Sequence, residues 1–306
     1  MHASQVGVPS ISRPASNLRE IEIELPPLVE QREIAAVLTA LDDKIELNRK
    51  MAATLEAMAR ALYRSWFVDF DPVHARSQGL PPAHMDQATA ALFPDRFGED
   101  GLPDGWEMGT LGDLIEFNPR EKIAKGEIAP YLDMKAMPNS GMTPDEAIQR
   151  AFTSGTKFRH GDTLLARITP CLENGKAALV QQLGPDVVGW GSTEFIVMRP
   201  RATTPIAYPY CVSRSTEFRD EAIASMTGSS GRQRADAQRV ASLDAIIPSK
   251  DVLKAFSDLT APMLARTSVC AQQNQTLGTL RDTLLPRLMS GELRVGEARE
   301  QVEEAV

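Results

Sequence analysis

The chain has 306 residues, of which 42% are hydrophobic and 24% are charged, which is enough for two domains with separate cores. Its net charge of −8 excludes a uniformly basic nucleic-acid-binding surface, so any such binding depends on a local region. The three cysteines are far apart and the histidines number four, which indicates neither a disulfide framework, a metal site nor a cofactor. The first residues do not resemble a signal peptide and no apolar run reaches the ~20 residues that span a bilayer, so we expect a cytoplasmic protein without membrane contact.

The first long element is a helix that begins near Leu28 and ends near Phe67. Its apolar positions alternate in steps of four and three, the spacing of a coiled-coil seam, and neither Gly nor Pro interrupts it. The predicted seam positions include Leu41, Asn48, Leu55 and Leu62. A polar Asn48 in this stripe predicts a residue that sets the register of the pair; the alternative is a water-exposed gap.

A loop-rich connection follows over residues 68–101, and a mixed α/β domain is predicted over 102–249. The residue pattern predicts helices and strands in the following order: a short helix over 111–117, strands over 163–168, 177–180 and 194–198, a helix over 208–226 and a last strand over 243–247.

A second heptad stripe covers 250–291, with seam positions that include Phe256, Met263, Leu277 and Leu284. The two stripes predict one antiparallel coiled coil, since a globular segment separates them. Local irregularities are expected at Pro262, Gly278 and Pro286. The acidic tail over 292–306 is expected to fray.

The chain repeats itself once, because Leu25-Pro26 and Ile247-Pro248 lead into the two stripes at an offset of 222 residues (248 − 26). At this offset the alternating run Leu18–Leu25, itself a predicted strand, matches Val240–Ile247. So large an offset excludes a solenoid of short units and indicates two copies of a module, each a globular part followed by a helix.

Several stretches resemble the specificity subunits of type I restriction-modification systems. They are Leu25-Pro-Pro-Leu-Val-Glu-Gln-Arg-Glu-Ile34, Leu41-Asp-Asp-Lys-Ile-Glu-Leu-Asn48, Leu62-Tyr-Arg-Ser-Trp-Phe-Val-Asp-Phe70, Leu102-Pro-Asp-Gly-Trp106, Gly161-Asp-Thr-Leu-Leu-Ala-Arg167, Thr169-Pro-Cys-Leu-Glu-Asn-Gly-Lys176, Gly191-Ser-Thr-Glu-Phe195 and Leu284-Leu-Pro-Arg-Leu-Met-Ser-Gly291. The resemblance implies a non-catalytic DNA reader with two target-recognition domains held apart by two long helices. It also implies methyltransferase subunits as partners, and restriction subunits in the assembled complex.

The resemblance implies a first recognition domain of which residues 1–25 would be the last strand. We therefore expect one complete recognition domain here, reading one half of a bipartite double-stranded DNA site. The rest of the first domain would be missing through truncation of the coding sequence, or the other reader would be supplied by a separate fragment or by a second copy of the chain. The sequence does not choose among these alternatives.

Two segments of the predicted domain are candidate DNA contacts. The region from Arg199 to Arg239 has seven arginines against four acids, and it contains Ser230, Arg232, Gln233 and Arg234 in a glycine-rich loop. Glycines let backbone amides approach phosphates, and Arg and Gln bind base edges in bidentate fashion. The other candidate segment is the turn over 166–176. Its candidate contacts are Arg167, Thr169, Asn174 and Lys176. The alternatives are a solvated loop and an ordinary hairpin turn.

Two other kinds of function remain open at this point. Asp104, Asp133 and Lys135 satisfy the loose pattern of a metal-dependent nuclease, although the pattern is short. The chain could instead be a coiled-coil interaction protein without DNA affinity. DNA binding and cleavage in magnesium separate the three hypotheses.

Overall fold

The computed structural model describes residues 25–229 and 231–305. The predicted strand at Leu18–Leu25 lies, except for Leu25, outside the described residues, as does Ser230. The chain divides into two compact units, one holding the residues up to Ile45 and from Gln275 onward, the other Glu46–Asn274. None of the helices in the described ranges combines the length and the apolar character that crossing a membrane requires.

Two long helices, each of 40 residues, dominate the helical part of the chain: α1 (Leu28–Phe67) and α8 (Lys250–Met289). Both predicted helices are confirmed. The expected irregularities do not break α8, which is continuous through Pro262, Gly278 and Pro286. The other helices are α2 (Asp71–Ser77), α3 (Gln87–Ala90), α4 (Leu111–Leu114), α5 (Ala207–Arg214), α6 (Thr216–Ala224), α7 (Ala237–Ala241) and α9 (Val295–Ala305).

In the first unit the two long helices share an apolar core. Leu41 and Leu284 are fully buried there and Leu277 is nearly so, as the heptad positions predict. Asp42 of α1 accepts a hydrogen bond from Arg281 of α8 at 2.8 Å. The core extends to Val295, Ala298 and Val302. The expectation of a frayed tail is therefore wrong for α9, because its apolar residues recur on one face and are buried against the helix pair.

In the second unit the seam is partly polar. Asn48 is buried, and its amide donates to the side-chain oxygens of Gln273 and Asn274 at 3.2 and 3.1 Å. Asn48 of α1 contacts Gln273 of α8. Met51, three residues later on α1, lies beside Cys270, three residues earlier on α8, with their sulfur atoms 3.8 Å apart. This reversal confirms the predicted antiparallel pairing.

The remaining predicted seam positions of this unit differ in burial. Phe256 is fully buried, whereas Leu55, Leu62 and Met263 are half-buried. Leu259, an apolar position of the second stripe, is exposed. Thr260 takes the buried position beside it, where its hydroxyl donates to the Phe256 carbonyl at 2.7 Å.

Ten short strands form the sheets of the second unit in the described ranges. They are β1 (Glu107–Thr110), β2 (Ile115–Phe117), β3 (Ile128–Leu132), β4 (Ile148–Ala151), β5 (Thr156–Phe158), β6 (Thr163–Ala166), β7 (Ala177–Leu179), β8 (Gly189–Gly191), β9 (Phe195–Pro200) and β10 (Asp244–Ile247). Two sheets have four strands, in the orders β2-β9-β6-β7 and β4-β3-β8-β5, while β1 pairs with β10 alone. The α/β class is thus confirmed, with helices and sheets in one unit.

Two predicted elements of this unit are corrected. The helix expected over 208–226 is divided at Ser215, whose extended backbone ends α5 and whose hydroxyl accepts a hydrogen bond from the Phe218 N–H to begin α6. The helix expected over 111–117 is α4 followed by β2, because Ile115–Phe117 pairs with β9 instead. The predicted strands β6, β7, β9 and β10 are confirmed; β1, β3, β4, β5 and β8 were not predicted.

Candidate nucleic-acid interface

The turn over 167–176 joins two neighbouring strands at one end of a sheet. β6 and β7 are antiparallel, with Leu165 opposite Ala177, so the turn projects beyond the last paired residues. Inside the turn, the N–H of Leu172 donates to Ile168 and that of Asn174 donates to Pro170. These bonds give the turn a regular, compact backbone.

The loop over 227–234 is closed at its base by its own backbone. Thr227 and Arg234 exchange two hydrogen bonds, of 3.1 and 2.9 Å. Gly228 and Gly231 have φ of 126° and 78°, a region that side-chain-bearing residues rarely adopt. The glycines therefore allow the chain to reverse between Thr227 and Arg234. We call residues 227–234 the reading loop.

The fold brings the reading loop and the turn together. The Thr169 N–H donates to the Gln233 carbonyl at 3.1 Å, and the Ala235 N–H donates to the Arg167 carbonyl at 2.8 Å. Ile168 and Arg234 form an isolated antiparallel bridge. The two segments for which the sequence predicts DNA contacts lie about 60 residues apart in sequence, and these hydrogen bonds bring them onto one surface.

Glu194 binds the guanidinium of Arg234 at the edge of this surface. Arg234 Nε donates to both carboxylate oxygens, at 3.0 and 2.8 Å, and Nη2 donates to Oε1 at 2.7 Å. This hydrogen bonding holds the pKa of Glu194 below its ordinary value, and the charges of Arg234 and Arg167 act in the same direction. Glu194 was not among the predicted site residues; its signals were its place at the start of a predicted strand and within the stretch Gly191-Ser-Thr-Glu-Phe195.

The other predicted contact residues divide by whether their side chains have a partner. Arg232 and Asn174 are exposed and Gln233 is half-buried, and none of the three has a side-chain hydrogen bond within the described residues. Ser230 lies outside the described residues. Arg232, Gln233 and Asn174 are thus the side chains left available to a ligand.

Thr169, Lys176 and Arg167 are less available. The Thr169 hydroxyl lies 3.3 Å from Glu173 Oε1, and Lys176 Nζ donates to the Met134 carbonyl at 2.8 Å. Arg167 is half-buried, and its Nε is enclosed without a hydrogen-bond partner in the described part of the chain. Lys176 therefore contributes to the internal structure of the turn.

The arginines of the basic region do not form one exposed surface. Arg199 is bound to Asp162 and Glu121, both at 2.7 Å, and Arg201 Nε donates to the Gly112 carbonyl at 2.7 Å. Arg219, Arg232 and Arg239 have no ion pair within the described residues. The local excess of positive charge thus overstates the charge available to DNA.

Arg214 is the clearest departure from a surface role. It is 8% exposed, and its guanidinium donates to the Tyr210 hydroxyl and to four backbone carbonyls. These are the carbonyls of Asn139, Gly141, Gly175 and Ala177. The Tyr210 hydroxyl in turn donates to Glu56 of α1 at 2.7 Å. Arg214 thus connects α1, through Tyr210, to the start of β7 and to the loop over 139–141.

The two carboxylates of the nuclease pattern have other partners. Asp104 is bound to Arg96 at 2.8 Å. Asp133 accepts the N–H groups of Lys135 and Ala136, as in a turn. Within residues 25–229 and 231–305, no group of three or more His, Cys, Asp or Glu side chains is arranged to hold a metal ion.

Comparisons with known proteins find sequence similarity to DNA specificity subunits. A family model described as "Type I restriction modification DNA specificity domain" matches residues 5–57. The HindI specificity subunit of Haemophilus influenzae is 25% identical over 90% of this chain and 70% of its own length. The MjaIX specificity subunit of Methanocaldococcus jannaschii is 26% identical over 92% of this chain and 63% of its own. Over most of its length, this chain is therefore similar to type I restriction-modification specificity subunits.

Solved structures of the specificity-subunit family are also similar to this chain. The S subunit from M. genitalium has 13% sequence identity and a TM-score of 0.49, covering 86% of this chain and 61% of that one. The HsdS subunit from Thermoanaerobacter tengcongensis has 17% identity and a TM-score of 0.37, covering 89% and 61%. The chain therefore spans between about three fifths and seven tenths of the relatives named here.

Proposed function

We propose that this chain is a non-catalytic DNA-recognition subunit that reads one half of a bipartite site. The observation that carries the proposal is the pairing of the turn over 167–176 with the reading loop. Arg232, Gln233 and Asn174 are free to contact DNA there, and Arg and Asn or Gln are the side chains that pair with guanine and adenine edges. The similarity to type I specificity subunits supports the same function.

The test begins with selection of duplexes from a random DNA pool by the full chain. Arg232→Ala should weaken binding to the enriched duplex by ~1–3 kcal/mol, because a bidentate base contact is lost. Unfolding should be unchanged, since the Arg232 side chain has no internal partner. Arg239→Ala removes the same charge from an exposed position on α7 and serves as the matched control. Equal effects of the two substitutions would remove the reading loop from the site.

We further propose that the helix pair docks methyltransferase subunits, and through them restriction subunits. Leu41→Lys with Leu55→Lys should abolish copurification with a methyltransferase subunit, because two ammonium groups would enter the helix seam. Ala40→Lys with Ala53→Lys places the same charges at exposed positions of α1 and should leave copurification intact. Normal assembly of the seam variant would contradict the assignment.

The described residues contain one domain with two four-stranded sheets. We infer that one such domain reads one half-site. We propose that a second reader, either another copy of this chain or a separate fragment, completes the site. Two identical readers related by a two-fold axis select inverted repeats. Sequencing methylated DNA from cells that carry only this chain and the methyltransferase tests this. An asymmetric bipartite motif would contradict the proposal that a second copy of this chain is the second reader.

A coiled-coil interaction protein without DNA affinity is the second candidate. The observation that favours it is the internal pairing of Arg199, Arg214 and Arg234, which reduces the charge available to phosphates on a chain of net charge −8. A mobility-shift titration at several salt concentrations separates the two, because phosphate contacts make affinity fall with salt. Cleavage in magnesium during the same titration would support the nuclease hypothesis instead.

A further inference from the structure

We propose that Glu194 is a positioning residue for base recognition: it anchors Arg234, and this anchor sets the position of Arg232 and Gln233 in the reading loop. Arg234 then supports the reading residues without contacting a base itself. The inference rests on the proposed function and assigns different roles to neighbouring residues of the same loop.

Glu194 is itself held firmly, which an anchor requires. Its N–H donates to the Ser192 hydroxyl at 3.1 Å, and its carbonyl accepts the Arg167 N–H at 2.9 Å. Its side chain is 23% exposed. The backbone that carries the carboxylate is therefore fixed immediately before β9.

Arg234 transmits this position to the loop. Besides the bonds of Nε and Nη2 to Glu194, Nη1 donates to the Arg232 carbonyl at 3.3 Å. All three guanidinium nitrogens thus have acceptors in the protein, and one of the acceptors belongs to a reading residue. A fork of two or more charge-assisted bonds is both strong and directional.

The backbone on either side of Arg234 completes the support. Arg234 closes the loop through Thr227, while the carbonyl of Gln233 accepts the Thr169 N–H. Between these points the Arg232 N–H donates to the Ser229 carbonyl at 3.0 Å, and Gly228 and Gly231 have no side chains that could restrain the backbone. The Glu194–Arg234 pair therefore adds a side-chain restraint to the backbone bonds of the loop.

The two roles of Arg234 predict opposite effects of Glu194→Ala. If Arg234 reads a base, Glu194 competes with DNA for its guanidinium, and removing the carboxylate strengthens selective binding. If Arg234 is an anchor, the same substitution releases the loop and weakens selective binding. Binding to unrelated DNA changes little or strengthens in both cases, because a negative charge is removed.

The experiment measures the ratio of affinities of the full chain for two duplexes, one enriched by the wild type from a random pool and one of scrambled sequence. The variants are Glu194→Ala, Glu194→Gln, Arg234→Ala and the double substitution Glu194→Ala with Arg234→Ala. Glu194→Ala should lower the ratio by about tenfold, and the double variant should lower it no further than Arg234→Ala alone. Glu194→Gln, which keeps an acceptor, should recover part of the loss. Asp220→Ala, which removes an exposed acid without a partner in the described residues, should leave the ratio unchanged.

Three outcomes would overturn the inference. One is an unchanged or raised ratio in Glu194→Ala. Another is additive losses from the two single substitutions, which would make their effects independent. The third is an equal loss for both duplexes together with a lower melting temperature, which would make Glu194 merely structural. If the wild type enriches no sequence at all, the proposed function fails first and the inference falls with it.

Discussion

Arg214 and Arg234 lie in the same domain and both have every guanidinium nitrogen engaged, yet their surroundings differ. Arg214 is buried, and its acceptors are the Tyr210 hydroxyl and backbone carbonyls. Arg234 has a side chain that is 42% exposed and is bound mainly to one carboxylate. The comparison separates an arginine that stabilises the domain from one that positions a loop.

The two arginines differ in what happens when their hydrogen-bond acceptors are removed. Buried polar groups that lose a hydrogen bond are left without water, so the loss appears in the stability of the whole domain. A half-exposed pair is solvated when it breaks, so the loss is confined to local order. Burial therefore decides whether the same chemical group acts on folding or on recognition.

The largest expected effect is that of Arg214→Ala. It should lower the free energy of unfolding by about 3 kcal/mol or more, because the Tyr210 hydroxyl and four carbonyls lose their donor. Denaturant unfolding measures the change. Arg239→Ala, at an exposed position, should stay within about 0.5 kcal/mol of the wild type. A loss below about 1 kcal/mol for Arg214→Ala would show that water replaces the guanidinium. It would contradict the conclusion that Arg214 stabilises the domain whereas Arg234 positions a loop.

Tyr210→Phe should have a smaller effect on the same network. Burial raises the pKa of Tyr210, so its hydroxyl stays protonated and donates to Glu56. Removing it deprives Arg214 Nε of its acceptor and leaves Glu56 Oε1 with only the Arg60 guanidinium, at 3.8 Å. The loss should cost about 1–3 kcal/mol. Tyr131→Phe is the matched control, because the half-buried Tyr131 stacks on Arg150 and its hydroxyl has no hydrogen bond within the described residues. Equal stability of the two variants would exclude Tyr210 from the network.

The smallest effect concerns the pH dependence of the Glu194–Arg234 pair. The folded-state pKa of Glu194 is lowered, so the pair contributes fully above the ordinary carboxyl pKa and is lost as the pH falls through the lowered value. A carbon-13 NMR titration of the Glu194 carboxyl should show this low midpoint. Arg234→Ala should raise the midpoint toward the ordinary value, whereas Arg232→Ala should leave it unchanged. A midpoint insensitive to Arg234 would mean that the pair does not form in solution.

The long helices could be predicted because their signal is local. The heptad spacing from Ile34 to Trp66 requires only the order of residues along one helix, and it also identifies Asn48 as a seam residue. The prediction of a frayed tail missed α9, because a short helix with four acids is stabilised only when its apolar face finds the helix pair.

The sheet domain was harder to predict because its strands are short and depend on their neighbours. β8 is Gly189-Trp190-Gly191, which has no alternation to detect. It lies between β3 and β5, and a Cβ at Gly191 would collide with the Leu132 carbonyl oxygen. A Cβ at Gly189 would collide with the Phe158 ring of β5. Crowding by neighbouring strands, which the local composition does not encode, therefore explains both glycines.

The sequence by itself determined the two antiparallel helices, the α/β class and the two segments proposed to contact DNA. Heptad spacing and loop composition are local signals, because each depends only on residues that are close together in the sequence. Only the tertiary structure decided that these segments pair, that Arg214 is internal and that Glu194 holds Arg234. Each of these depends on hydrogen bonds between residues tens of positions or more apart, such as Glu194 and Arg234 or Glu56 and Tyr210. Such partners are selected by strand pairing and burial, because a charged or polar side chain in the interior needs a specific acceptor that the surrounding fold must supply.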